Sequence, residues 1–310
     1  MEFGLMVEPQ LGGSYEDLTG LARWAEDRGL AVFARSDHYT LPGRHPEAVD
    51  ALASLAGIAR ETERINLCVL VSPITFRHPA VLAKTAATID QMSAGRMMLG
   101  VGTGWMEAEH EVFGFDLWPL KERFARLEET LQYLRAAFSD GEAAFQGRYY
   151  SLQGIDVRPK PAHLPIVVGG SGARKTPILA GRYADEFNRF VDTPRATAAA
   201  IEVMRREAKA AGRDPNRIIV SAMGPLPVFP TRDGYSRDLD SVAADRDSNP
   251  ADVEERRMQR GVPRGTPDEA QETLDGLAAV GVQRYYVQHF EPLSAIDTGR
   301  LDAALTLLGA

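Results

Sequence analysis

Along this chain, short runs of apolar and β-branched residues alternate with longer segments in which apolar positions recur at helical spacing. The strand-like runs are Glu2 to Glu8, Ala31 to His38, Ile65 to Ser72, Arg96 to Gly102, Ile166 to Gly170, Glu186 to Val191, Ile218 to Met223 and Arg284 to Phe290. Helical segments fall near residues 15–28, 48–63, 79–93, 120–138, 173–183, 194–211, 267–280 and 297–308. Eight runs of each kind in alternation predict an α/β fold of the (β/α)8, or TIM-barrel, type, as one domain over residues 1–310. Helix punctuation agrees: Ser14 with Asp17 reads as a capping box, and Gly29, Gly212 and Gly281 each follow a helix. Two insertions interrupt the period, one after the fourth strand and one after the seventh. Phe145 to Arg158 reads as a hairpin, whereas Pro230 to Gly265 is charged and poor in apolar residues. Loops that follow barrel strands open on the catalytic face, so residues 230–265 are either a lid or a surface excursion.

Composition adds mainly exclusions. With 310 residues, 44% hydrophobic and 25% charged, the chain can bury a full core, which rules out disorder. A formal charge of −8 argues against a nucleic-acid surface, since the densest basic stretch, Glu254 to Arg260, interleaves its arginines with acids. Cys68 is the single cysteine, so no intrachain disulfide is available. Met1 to Glu8 lacks a secretory pattern, and no apolar run reaches the roughly 18 residues of a membrane span. The expectation is a cytoplasmic protein without membrane or nucleic-acid partners.

Candidate chemistry lies at the strand ends. The second run closes with Phe33-Ala34-Arg35-Ser36-Asp37-His38-Tyr39, turning abruptly polar where barrel enzymes place site residues. His38 is suited to moving a proton near neutral pH, and Asp37 to fixing a tautomer or accepting a cofactor hydroxyl; the plain alternative is that both cap a helix or pack on the rim. The fourth run ends in Gly100-Val101-Gly102-Thr103-Gly104-Trp105, followed by Met106-Glu107-Ala108-Glu109-His110. Its alternating glycines would admit a planar ligand against the backbone, although they do not match the dinucleotide fingerprint. Trp105 would wall an aromatic pocket, and Glu107 and His110 would share a helix face; a rim turn with an exposed Glu/His pair is the alternative. After the fifth run, Val168-Gly169-Gly170-Ser171-Gly172-Ala173-Arg174-Lys175-Thr176 enters a helix, a setting suited to a phosphate or simply a glycine-rich turn. His38, His78, His110 and His289 are scattered, so no metal is expected, and Cys68 sits among apolar neighbours as a structural residue. A flat-ligand platform, a phosphate nest and an acid/base pair together point to a bound redox cofactor.

At these residues the chain resembles the luciferase-like monooxygenase superfamily, in particular its deazaflavin branch, which uses coenzyme F420. The resemblance covers nearly all of residues 1–310 and rests on Ser36-Asp37-His38-Tyr39, Phe76-Arg77-His78-Pro79, Gly95-Arg96, Gly100-x-Gly102-x-Gly104-Trp105, Gly169-Gly170-Ser171-Gly172 and Gly265-Thr266-Pro267. The Ser-Asp-His ending looks more like the deazaflavin branch than the flavin mononucleotide (FMN) branch; the other motifs belong to both. The resemblance implies a ring across the barrel mouth, backed by a bulged third strand with a non-proline cis peptide matching Cys68 to Val69. It further implies cofactor contacts from Asp37, Cys68, Val69, Gly102, Gly104, Gly169, Gly170, Ser171 and Gly172, with His38 beside the reactive carbon and Trp105 shaping the substrate cavity. Trp105 stands where the family's sugar-phosphate dehydrogenases carry Glu, which implies a less polar small organic substrate than glucose 6-phosphate. Family members are commonly dimers, so a homodimer is implied. The expected activity is hydride transfer with F420; an FMN-dependent monooxygenase and a non-catalytic flavin-binding protein are the alternatives.

Overall fold

Eight parallel strands close on one another into a barrel. The structure, a computed structural model, describes residues 1–41, 47–245 and 247–309. In chain order its elements are β1 (Glu2–Val7), α1 (Tyr15–Asp27), β2 (Val32–Arg35), α2 (Ala51–Glu61), β3 (Asn66–Pro73), α3 (Pro79–Met92), β4 (Met97–Gly102), α4 (Glu107–Phe113) and α5 (Leu120–Phe138). There follow β5 (Ala143–Gln146), β6 (Ser151–Ile155), β7 (Ile166–Gly169), α6 (Lys175–Tyr183), β8 (Glu186–Phe190), α7 (Pro194–Ala210), β9 (Ile219–Gly224), α8 (Arg232–Asp245), α9 (Pro250–Gln259), α10 (Pro267–Ala279), β10 (Arg284–Gln288) and α11 (Thr298–Leu307). The expected barrel is therefore present, its strands in the order β1-β10-β9-β8-β7-β4-β3-β2, with β5 and β6 pairing antiparallel as the expected hairpin.

Two apolar layers follow from the period-2 alternation of each strand. Met6, Ala34, Cys68, Met98, Val167, Met223 and Tyr286 fill the barrel, while Leu5, Phe33, Leu67, Leu99, Val168 and Phe187 face the helices. The helices present matching stripes, such as Leu52, Leu55 and Ile58 of α2, all nearly or fully buried. Each such side chain contributes about 1.5–3 kcal/mol. Local signals set the helix starts. The Ser14 hydroxyl accepts from Asp17 N–H while Asp17 accepts from Ser14 N–H, which is the expected capping box. The barrel floor is polar: Glu186, fully buried, accepts from Ser221 Oγ (2.6 Å) and Tyr286 Oη (2.9 Å) and pairs with Arg284. Burial pushes the Glu186 carboxyl up against the pull of Arg284.

Residues 230–265 hold α8 and α9 rather than loop alone; residue 246 lies outside the described residues. Tyr235 of α8 is buried and donates to Glu254 of α9, and Asp238 binds both Arg257 (2.9 Å) and Arg300 of α11 (2.7 Å). Among the described residues no helix is long and apolar enough to cross a membrane.

Candidate active site

The barrel mouth is organised by an irregularity in β3. Its pairing with β4 runs regularly to Val69 opposite Leu99, then shifts, so that Ser72 lies opposite Val101. Leu70 and Val71 consequently both pack on the barrel interior, and the bond between them is cis. This corrects the expectation of a cis bond at Cys68–Val69: the bulge falls two residues further along, and Cys68 and Val69 are in regular strand with no exposed surface to offer a ligand. Val71 then projects toward the glycines of two neighbouring strands. A Cβ at Gly102 would meet Val71 Cγ2 at 2.7 Å, one at Gly169 would meet Val71 Cγ1 at 2.7 Å, and one at Gly100 would meet Val69 O at 2.2 Å. These glycines therefore admit the chain's own bulge. Gly104 is different, with φ of 76°, a left-handed conformation that side chains disfavour, and with Thr75 and Pro73 against it.

His38 follows β2 and meets a partner that sequence reasoning missed. Its Nδ1 lies 2.8 Å from Glu109 Oε2, and the other carboxylate oxygen accepts N–H bonds from Tyr39 and from Thr40 (3.1 Å). Glu109 has no exposed surface. The carboxylate only accepts, so neutral His38 carries its proton on Nδ1 and leaves Nε2, with no partner among the described residues, as the basic nitrogen. Burial pushes the imidazole down, but the hydrogen bond and charge of Glu109, helped by Glu8 and Asp37, outweigh it and hold it above its ordinary value. Trp105 meets the imidazole edge-on, centroids 5.7 Å apart, while keeping 69% of its surface exposed. The expected Glu107/His110 pair does not form: Glu107 is exposed, whereas His110 is buried between the Met106 carbonyl (2.7 Å) and Thr75 Oγ1 (2.8 Å).

Asp37 is held by the chain itself. Its carboxylate, without exposed surface, accepts from Ser72 Oγ (2.6 Å) and pairs with Arg77, which also binds Asp50. A second polar chain crosses the ends of β10, β1 and β2. Gln288 Nε2 donates to Glu8 (2.6 Å), Gln10 Nε2 donates to the same carboxylate (2.7 Å), and Ser36 Oγ donates to Gln10 Oε1 (2.6 Å). Because Glu8 fixes the orientation of the Gln288 amide, Gln288 Oε1 is left as a buried acceptor without a partner among the described residues.

After β7, Gly170 has φ of 150° and its N–H goes to Asn188 O. Ser171, Gly172, Ala173, Arg174 and Lys175 are exposed, and none of their N–H groups is bonded within the described residues. Together with the α6 N-terminus they form an anion-accepting turn. Among the described residues no His/Cys/Asp/Glu group is arranged to hold a metal ion.

Residues 1–284 match the family model of the luciferase-like monooxygenases. The chain belongs to that family. A relative, the F420-dependent glucose-6-phosphate dehydrogenase of Gordonia bronchialis, is 37% identical over 178 residues, covering 55% of this chain and 52% of that enzyme. The chain thus spans about half the length of the curated relatives it matches. Among solved structures, an F420-dependent secondary alcohol dehydrogenase superposes with a TM-score of 0.79 at 20% identity, covering 99% of this chain and 98% of that one. The monooxygenase RslO1 from Streptomyces bottropensis gives 0.80 at 21%, covering 99% and 97%. These two show a shared fold.

Proposed function

We propose that this luciferase-like protein is an F420-dependent oxidoreductase that moves a hydride between the deazaflavin and a small organic substrate. The observation that carries the reading is the buried Glu109–His38 pair at the mouth, which presents one basic nitrogen, unpartnered among the described residues, beside an exposed aromatic wall. The residues present suit the cofactor. The Gln288 acceptor fits a ring N–H, and the bonding-free 171–175 turn fits a phosphate. Gly104 and the 170–172 turn supply the backbone surface; Gly102 and Gly169, packed on Val71, support the ring only through that side chain. Bound there, the deazaflavin supplies or accepts the hydride.

The chain's own part is proton management and positioning. His38 Nε2 takes a proton from a substrate hydroxyl in the oxidation direction and returns it in reduction, while Glu109 stabilises the imidazolium. Asp37 acts at one remove, by holding Arg77 and Ser72 behind the bulge. Trp105, with Phe190 and Phe290 exposed at the ends of β8 and β10, favours an apolar substrate over a sugar phosphate. Closure of residues 230–265 as a lid, a homodimer and a cytoplasmic location belong to the same proposal.

His38→Ala tests the assignment: turnover is expected to fall about 10²- to 10⁴-fold with cofactor affinity little changed. Unaltered single-turnover hydride transfer would remove His38 from the reaction.

A further inference from the structure

A groove of about 580 Å³ lies beside the anion-accepting turn, between α5, α6 and the turn of the β5–β6 hairpin. Its charges do not cancel. On its walls Glu122 is bound by Arg126 (2.8 Å) and Glu128 by Arg182 (3.3 Å), so both carboxylates are spent. Lys121, Arg148 and Lys175 line the same groove and form no ion pair among the described residues. Two of them stand over aromatic walls, Lys175 4.9 Å above Phe124 and Arg148 5.2 Å above Tyr149. In a chain of net charge −8, three uncompensated cations in one groove are a local reversal of sign. Lys175 belongs to both the groove and the turn, so a ligand whose phosphate rests on the turn continues directly into the groove.

We infer that this groove binds the acidic tail of the cofactor, the chain of carboxylates that F420 carries beyond its phosphate. FMN ends at its phosphate and has nothing to place there, so the groove is a specificity element that favours the deazaflavin. The inference rests on the F420 reading and extends it to a surface outside the barrel mouth. Contacts of this kind are exposed and screened by salt, so they add modest affinity each and lose it as ionic strength rises.

The test is a fluorescence titration of the protein with F420 bearing several glutamates and with the form that ends at the phospholactyl group. The parent is expected to bind the long form about 10-fold more tightly at low salt, with the difference vanishing in high salt. Lys121→Glu with Arg148→Glu, both exposed and away from the turn, should abolish the difference while leaving the short form's affinity unchanged. Equal affinity of the two forms for the parent, or an equal loss for both in the double variant, would overturn the groove assignment and leave the cofactor reading standing. Failure of both forms to bind the parent would overturn the cofactor reading and this inference with it.

Discussion

Replacing Glu109 with Gln changes one oxygen and should invert the chemistry of His38. Glu109 accepts N–H bonds from Tyr39 and Thr40 on one oxygen and faces His38 Nδ1 with the other. The amide oxygen of Gln can satisfy only one side, and two backbone donors outweigh one imidazole donor. The NH2 then faces Nδ1, the ring must accept there, and its proton moves to Nε2. The nitrogen left for substrate becomes a donor instead of a base, for an expected loss of about 10²- to 10³-fold in turnover. Loss of a buried charge-assisted bond costs about 2 kcal/mol. The pH dependence has a definite sign. In the parent the His38 pKa is raised, so the pair's contribution to stability is complete below the unfolded value of about 6.5 and disappears as pH rises through the folded value. In the variant burial is the largest remaining influence and lowers the pKa, so the stability gap between the two proteins widens as pH falls through neutrality. Histidine NMR titration of the cofactor-free proteins, with urea unfolding at several pH values, measures both. An unchanged His38 titration in the variant would refute the reasoning.

Gly102→Ala places a methyl 2.7 Å from Val71 and should cost about 1–3 kcal/mol, with Val71→Ala restoring much of it in the double variant; additive losses in urea unfolding would mean the glycine answers to something else. Asp37→Ala strands the partly buried Arg77 guanidinium, which keeps Asp50, and should cost about 3 kcal/mol in thermal unfolding. A variant as stable as the parent would show that Asp50 alone carries Arg77.

The barrel was legible because both of its periods are written in the residues: helix α5 begins and ends where apolar spacing places it, at 120 and 138. The bulge was not. Leu67 to Val71 is apolar at every position, so it carries no alternation whose break would mark the slip between Val69 and Ser72. His38 was legible from its place at a strand end, but its partner lies 71 residues away on the buried side of a seven-residue helix. The only hint was that Glu109 and His110 are adjacent while their neighbours Glu107 and Glu111 belong to the solvent side. Asp37 was legible as a polar strand end, but nothing local shows that Arg77, 40 residues on, also binds its carboxylate. Glu8, Gln10 and Gln288 close strands as His38 does, and the same rule applied to every strand end would have found them.

The account's central claim is the identity of the cofactor, and side-by-side fluorescence titration of the cofactor-free protein with F420 and with FMN at matched salt tests it most directly. F420 should bind clearly more tightly. Tighter binding of FMN would contradict the account and place this protein with the oxygen-using monooxygenases.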